Sequence, residues 1–124
     1  MEWTGRRVLV TGAAGVIGRV LVRDLISQGA RVLCVDIASG DALGVFGVEY
    51  IQANLARGVP PDVCAFDPEV VFHLAAAFER TEEAPGYWMT SFDNNVLLSH
   101  LLLRALAPSP SLKVFIFASS YLNL

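Results

Sequence analysis

The sequence predicts an α/β fold in which five parallel strands form a doubly wound sheet with strand order 3-2-1-4-5. Three observations support this prediction. Short apolar segments alternate with amphipathic helical segments along the chain. The apolar segments are nearly continuous, which is typical of strands buried on both faces of a parallel sheet. A glycine-rich turn at residues 11–18 joins the first strand to the first helix.

The predicted elements follow one another along the chain with short connections. Strands are predicted at residues 8–10, 31–36, 48–52, 70–74 and 113–118, and helices at 16–28 and 91–106. In the first helix, apolar residues at helical spacing predict a buried face made of Ile17, Val20, Leu21 and Leu25. Gly29 is the predicted stop of that helix, and Pro108 follows the second. Segments 37–47 and 56–68 contain glycines and prolines and are predicted to be the softest parts of the fold.

The composition indicates one globular domain that spans residues 1–124. Hydrophobic residues make up 54% of the chain and charged residues 17%, which excludes intrinsic disorder. The net charge of −3 gives no indication of a nucleic-acid partner, and no apolar segment approaches the ~18 residues of a membrane span. Cys34 and Cys64 lie 30 residues apart in no paired motif, so we expect no disulfide, no metal site and a reducing, cytoplasmic compartment.

The glycine-rich turn has the spacing of a site for a dinucleotide. Gly12 permits a tight exit from the strand, Gly15 lets the backbone approach a pyrophosphate, and Gly18 lets the helix pack closely on the sheet. The helix N-terminus offers unpaired N–H groups to the phosphates. Asp36 ends the second strand, 21 residues after Gly15, where a carboxylate accepts hydrogen bonds from ribose hydroxyls and repels a 2′-phosphate. The turn therefore predicts NAD rather than NADP, and a turn that only packs tightly is the alternative.

Four segments together resemble the extended short-chain dehydrogenases/reductases, and within them the NAD-dependent epimerase/dehydratase family. They are the Thr-Gly-x-x-Gly-x-x-Gly turn at 11–18, His-Leu-Ala-Ala at 73–76, Asn-Val at 95–96, and the strand with its Ser-Ser end at 115–120. The resemblance covers residues 7–121 in the expected order. It implies a Rossmann-like domain that binds NAD, and an oxidoreductase that acts on a nucleotide sugar or a related small-molecule substrate.

The resemblance also assigns individual roles. Asp36 and Ile37 would hold the adenosine ribose, Asn95 would support the nicotinamide side, and Ser120 would be catalytic by hydrogen bonding the reacting hydroxyl or carbonyl of the substrate. The full set of predicted cofactor-binding residues is Gly12, Ala14, Gly15, Val16, Ile17, Gly18, Asp36, Ile37, Asn54, Leu55, Leu74, Ala75, Ala76, Asn95 and Ser119.

Two departures from the family pattern affect these expectations. Asn54 stands where the family has an aspartate for the adenine amino group, and its side-chain carbonyl is expected to serve as the acceptor instead. The catalytic Tyr-x-x-x-Lys is absent, because Tyr121 is too close to Ser120 and Lys113 precedes the last strand. We expect this chain to be an incomplete, N-terminal cofactor-binding part, truncated after strand 5, that binds NAD without turnover. A non-catalytic dinucleotide-sensing module and a fragment without function are the alternatives.

Other polar residues have structural interpretations. His73 ends a buried strand and is expected to be structural rather than a general base. The charged residues of segment 79–83 are expected to form a solvated loop, with a position beside the substrate as the alternative. The resemblance implies that the helix at 91–106 takes part in a dimer interface, and the last strand is expected to be an exposed edge, so we expect a homodimer or other self-association through one of these surfaces.

Overall fold

Five short strands pair side by side in one parallel sheet in the computed structural model, which describes residues 2–76, 86, 89 and 92–118. The strands are β1 (Arg7–Thr11), β2 (Arg31–Asp36), β3 (Glu49–Gln52), β4 (Val70–His73) and β5 (Val114–Phe117). Their order is β3-β2-β1-β4-β5, and every pairing is parallel. The predicted fold class and strand order are confirmed.

In the described part of the chain, three α-helices connect the strands and cover the sheet. They are α1 (Val16–Ser27), α2 (Pro61–Phe66) and α3 (Leu98–Leu106). Short 3₁₀ turns occupy Gly40–Ala42 and Leu55–Arg57, and a π-helical segment, Phe92–Leu97, runs directly into α3. The predicted stop of α1 is confirmed, because Gly29 has a φ of 86° and lies directly after the helix cap at Gln28.

The helix α2 lies in a segment that the sequence predicts to be soft. Pro61 stands at the first helical position, where the missing N–H has no partner to lose. Val63 and Phe66 turn into the core, and Asp67 ends the helix in the left-handed conformation with a φ of 54°. Prolines here therefore start a helix rather than prevent one.

The core lies on both faces of the sheet, because successive side chains of a strand point to opposite sides. On one face Leu9 and Val71 pack against Leu102 of α3, together with residues of α2. On the other face Val10 and Cys34 pack against α1. Burial of both faces explains why the strands are nearly continuously apolar. Cys34 is a free, fully buried cysteine, and this burial raises the pKa of its thiol to about 12.

The buried face of α1 differs from the predicted one. Gly18, Val22 and Leu25 are buried, whereas Ile17 and Val20 are 72% and 64% exposed. A Cβ on Gly18 would collide with the carbonyl oxygen of Gly12 and stand 2.8 Å from Cα of Ala13. This close glycine contact sets the rotation of the helix, so that the flanking apolar residues point away from the sheet.

The helix α3 turns Leu98, Leu102 and Leu106 into the core and leaves Leu103 42% exposed. The predicted self-association through this helix stays a prediction. Among the described residues, none of the helices has both the length and the hydropathy required to cross a bilayer.

A chain of buried side chains connects β1, β4 and α3. Nδ1 of His73 lies 2.6 Å from Oγ1 of Thr11, and Nε2 lies 2.8 Å from Oγ of Ser99. The Thr11 oxygen already accepts hydrogen bonds from the N–H groups of Leu74 and Ala75, so its proton points to Nδ1. His73 therefore carries its proton on Nε2 and donates it to Ser99, whose hydroxyl donates to the carbonyl of Asn95. The structure thus gives His73 the structural position that the sequence predicts.

Burial lowers the pKa of His73 from its ordinary value of 6.5 to about 4. The unfolded chain consequently binds a proton near pH 6.5, and the folded chain binds it only near pH 4. We expect this contribution to stability to be complete above about pH 6.5 and to disappear as the pH falls to about 4. The expected slope is at most about 1.4 kcal/mol per pH unit.

Urea unfolding at several pH values measures this slope, and the imidazole NMR signals of His73 measure the pKa itself. The variant His73→Gln should show a flatter dependence between pH 6.5 and 4. Asp67 and Glu69, whose pKa values are lowered from 3.8 and 4.5 by hydrogen bonds from Ser109 and Arg6, contribute mainly below about pH 4.5 and do so in both chains. Titration of His73 in the folded chain at its ordinary pKa would contradict this interpretation.

Candidate functional site

The carboxyl ends of β1, β2 and β4 surround a cleft of about 290 Å³. The chain proceeds from β1 to β2 and β3 on one side of the sheet, and to β4 and β5 on the other. Ligands of open α/β sheets bind where the winding direction changes in this way. Nine of the predicted site residues line the cleft, namely Gly12, Gly15, Asp36, Ile37, Asn54, Leu55, Leu74, Ala75 and Ala76.

Gly12 brings the turn after β1 into direct contact with the segment after β4. Its φ is 68°, and a Cβ at this position would stand 2.7 Å from the backbone nitrogen of Ala75. Gly15 has ordinary helix-cap dihedral angles, and a Cβ there would meet only the carbonyl oxygen of Gly12, at 3.3 Å. The two glycines therefore have different functions, since Gly12 is required by the fold and Gly15 keeps the floor of the cleft open.

The N-terminus of α1 is directed to this floor. Gly15 is its cap residue, no side chain caps the helix, and no acidic residue lies in the first turn. The first N–H groups and the positive end of the helix dipole are thus available to an anion. Val16 and Ile17 belong to this first turn but do not line the cleft, and both are largely exposed. Gly18 contributes by packing closely against Gly12 and Ala13.

Asp36 connects the two loops beside the cleft. Oδ2 accepts a hydrogen bond from the N–H of Ala14, and Oδ1 accepts one from the N–H of Ala38, both at 2.9 Å. Ala38 is fixed in turn by the Tyr50 hydroxyl, which donates to its carbonyl at 2.6 Å. Each carboxylate oxygen keeps a second lone pair, so Asp36 can accept two further hydrogen bonds from vicinal hydroxyls of a ligand. Ala14 thus acts through its backbone and does not itself line the cleft.

The outer end of the cleft is an apolar slot with one polar side chain. Ile37, Ala53 and Leu55 form its walls, beside Asn54. Oδ1 of Asn54 accepts a hydrogen bond from the N–H of Ala56 at 3.0 Å, and in this way Asn54 caps the 3₁₀ turn Leu55–Arg57. This oxygen keeps a second lone pair, so its predicted hydrogen bond to a ligand stays a prediction.

The opposite end of the cleft is formed by Leu74, Ala75 and Ala76 after β4, with Asn94 and Leu98 of the helical segment. Thr11 fixes this strand end, because its Oγ1 accepts from the N–H groups of Leu74 and Ala75 at 3.1 Å each. Asn95, the predicted residue, does not line the cleft, and its backbone carbonyl accepts the Ser99 hydroxyl instead.

Sequence reasoning missed four residues of the lining, namely Val35, Ala53, Asn94 and Leu98. The first two directly precede Asp36 and Asn54, and their position at strand ends was a usable signal. Asn94 lines the cleft next to the predicted Asn95, in a π-helical winding that no pattern in the sequence indicates. Ser119, the catalytic candidate Ser120, and the charged residues of segment 79–83 lie outside the described residues.

Comparison with known proteins supports the same interpretation. The chain is 40% identical to the UDP-glucose 4-epimerase of Mycolicibacterium smegmatis in an alignment 91 residues long, which covers 65% of this chain and 29% of the relative. A short-chain dehydrogenase/reductase superfamily protein from Agrobacterium tumefaciens, solved with bound NAD, superposes with a TM-score of 0.75 at 29% identity. That alignment covers 93% of this chain and 33% of the solved one.

A second solved structure, MoeE5 in complex with UDP-glucuronic acid and NAD, superposes with a TM-score of 0.74 at 32% identity. It matches 92% of this chain and 36% of its own length. The chain spans less than a third of the length of the curated relatives it matches. The model of the NAD dependent epimerase/dehydratase family matches residues 8–122, and the chain belongs to this family.

Proposed function

We propose that the chain is the NAD-binding part of an epimerase/dehydratase-type oxidoreductase whose substrate is a nucleotide sugar. One observation carries the proposal, namely that the uncapped N-terminus of α1 and the carboxylate of Asp36 meet at a single cleft. The first is suited to a pyrophosphate, and the second to the two hydroxyls of a ribose. Gly15 leaves space on the floor of the cleft where a Cβ would stand, so the residues present fit a dinucleotide.

Each part of the cleft has a role in this proposal. The backbone at Gly15 and the first turn of α1 bind the pyrophosphate. Asp36 accepts the ribose hydroxyls of the adenosine half, and the slot beside Ile37 encloses the base. Ala75 and Ala76 border the nicotinamide half. When bound, NAD supplies a hydride acceptor or donor, and the chain orients it and excludes water from one face.

The substrate that we propose is a nucleotide sugar. MoeE5 is a neighbour that binds UDP-glucuronic acid together with NAD. Ser120 is our candidate for the catalytic serine, whose hydroxyl would hydrogen-bond the oxygen on the reacting carbon of the substrate. The sequence has no Tyr-x-x-x-Lys to provide the acid or base, and the chain covers a minor share of its relatives. We propose that it binds NAD without turnover, with a dinucleotide-sensing module as the alternative function.

The first prediction concerns the choice between NADH and NADPH. Calorimetric titration should give saturable binding of NADH that is about tenfold or more tighter than that of NADPH, because Asp36 repels a 2′-phosphate. Asp36→Asn should reduce this ratio to near one. Asp41→Asn is the matched control, since it removes the same charge from an exposed residue outside the cleft lining. Equal affinities for both dinucleotides in the unaltered chain would contradict the assignment of Asp36.

The second prediction separates the function of Gly15 from its contribution to the fold. Gly15→Ala should weaken NADH binding by about tenfold or more, because the new methyl group enters the floor of the cleft where the pyrophosphate must approach. The thermal midpoint should change little, since φ at Gly15 is −71° and the methyl group meets one oxygen at 3.3 Å. Gly40→Ala, which makes an ordinary 3.4 Å contact with Tyr50, is the control. Unchanged NADH affinity in Gly15→Ala would argue against phosphate binding at this turn.

The third prediction concerns turnover. The purified chain, saturated with NAD or NADH, should leave UDP-glucose and UDP-galactose unchanged, as measured by NMR of the sugar and by NADH absorbance. Binding without turnover is expected because these residues contain no Tyr-x-x-x-Lys. Sugar-dependent conversion by this chain alone would refute the proposal.

A further inference from the structure

Ser99 is the far member of the buried hydrogen-bond chain that begins at the cleft. At the cleft end the backbone N–H of Ala75 can only donate, and at the far end the backbone carbonyl of Asn95 can only accept. The side chains between these ends are those of Thr11, His73 and Ser99, joined by contacts of 2.6 to 3.1 Å. Because both ends are fixed, every hydrogen bond of the chain is donated in the direction that leads from the cleft to α3.

This direction depends on the hydroxyl of Ser99, because it accepts the Nε2 proton of the neutral His73 ring at 2.8 Å. Without that acceptor the ring has a second neutral form, with its proton on Nδ1. Such a ring would direct a third donor at the Thr11 hydroxyl oxygen, which has only two lone pairs. Water does not readily take the place of the acceptor, since Ser99 and His73 are 9% and 1% exposed.

The backbone N–H of Ala75 is the group that such a change would release. The N–H of Leu74 also reaches the backbone carbonyl of Thr11 at 3.1 Å, so it keeps an acceptor when the hydroxyl is lost. Ala75 is held by the Thr11 hydroxyl and borders the cleft at the end of β4, where Leu98 forms the facing wall directly before Ser99. Asp36 lies beyond β1, at the other end of the cleft. Loss of the Ser99 hydroxyl therefore affects one end of the cleft and not the other.

We propose that Ser99 is a positioning residue for the nicotinamide half of the dinucleotide, and that it acts by setting the tautomer of His73. This inference rests on the proposed function, which assigns the nicotinamide half to the end of the cleft at Ala75. Ser99 does not itself line the cleft, so its effect on a ligand passes through His73 and Thr11. A serine that served only the packing of α3 would affect both halves of the ligand alike.

The test compares NADH with ADP-ribose, which keeps the adenosine, the pyrophosphate and the second ribose but lacks the nicotinamide. In calorimetric titrations of the full chain, Ser99→Ala should weaken NADH by about fivefold or more and ADP-ribose by less than about twofold. Ser99→Thr keeps a hydroxyl and should restore the affinity ratio of the unaltered chain. Ser27→Ala is the matched control, because it removes a hydroxyl that donates to the carbonyl of Asp24 on exposed α1 positions outside the cleft lining.

A second measurement follows the tautomer directly, by ¹⁵N NMR of the imidazole rings. The unaltered chain and Ser99→Thr should carry the His73 proton on Nε2, and Ser99→Ala should move it in part to Nδ1. His100 is exposed and serves as the internal reference. Alanine is a strong helix former, so α3 is expected to persist in Ser99→Ala, and the thermal midpoint reports any general loosening separately.

The outcomes separate this inference from the proposed function. If the unaltered chain binds both ligands and Ser99→Ala leaves their affinity ratio unchanged, the positioning role is refuted while the NAD site remains. A His73 proton that stays on Nε2 in Ser99→Ala would also refute it. If neither ligand binds to the unaltered chain, the proposed NAD site fails, and the positioning role fails with it.

Discussion

The backbone contact between Gly12 and the end of β4 is the constraint on which the rest of the structure depends. Gly12 occupies a left-handed conformation and stands so close to Leu74 and Ala75 that no side chain fits between them. Next to it, the Thr11 hydroxyl accepts both backbone N–H groups of these residues. The turn after β1 and the segment after β4 thus behave as one unit, and the cleft is the space above it.

The buried histidine completes this unit. His73 donates a hydrogen bond from Nε2 to Ser99 and accepts one from the Thr11 hydroxyl at Nδ1. Every lone pair and the proton of the Thr11 oxygen therefore have a partner. A charged imidazole would have to donate from both nitrogens and would displace the Thr11 proton. Burial, which lowers the pKa of His73, keeps the imidazole neutral and so preserves the hydrogen bonds that hold the segment at Ala75 and Ala76.

The sequence was sufficient to predict the strands, their order and most of the cleft. Apolar continuity identified β2 with both of its ends, and Gly29 identified the stop of α1, because these features depend on local chemistry. The exposure of Val20 was not predictable in this way, since it depends on where Gly18 contacts the turn. That Asn94 lines the cleft was not predictable for a similar reason, since the phase of this π-helical segment depends on tertiary packing.

The two hydrogen bonds that the Asp36 carboxylate accepts from backbone N–H groups bear on the rate and entropy of ligand binding. Its carboxylate holds Ala14 and Ala38 before any ligand arrives, and Tyr50 holds Ala38 from the other side. A ligand that takes the remaining lone pairs meets loops that are already ordered, so little conformational entropy is lost on binding. Binding at such ordered loops would be limited by diffusion and orientation rather than by loop closure, and ligands would then differ mainly in their dissociation rates.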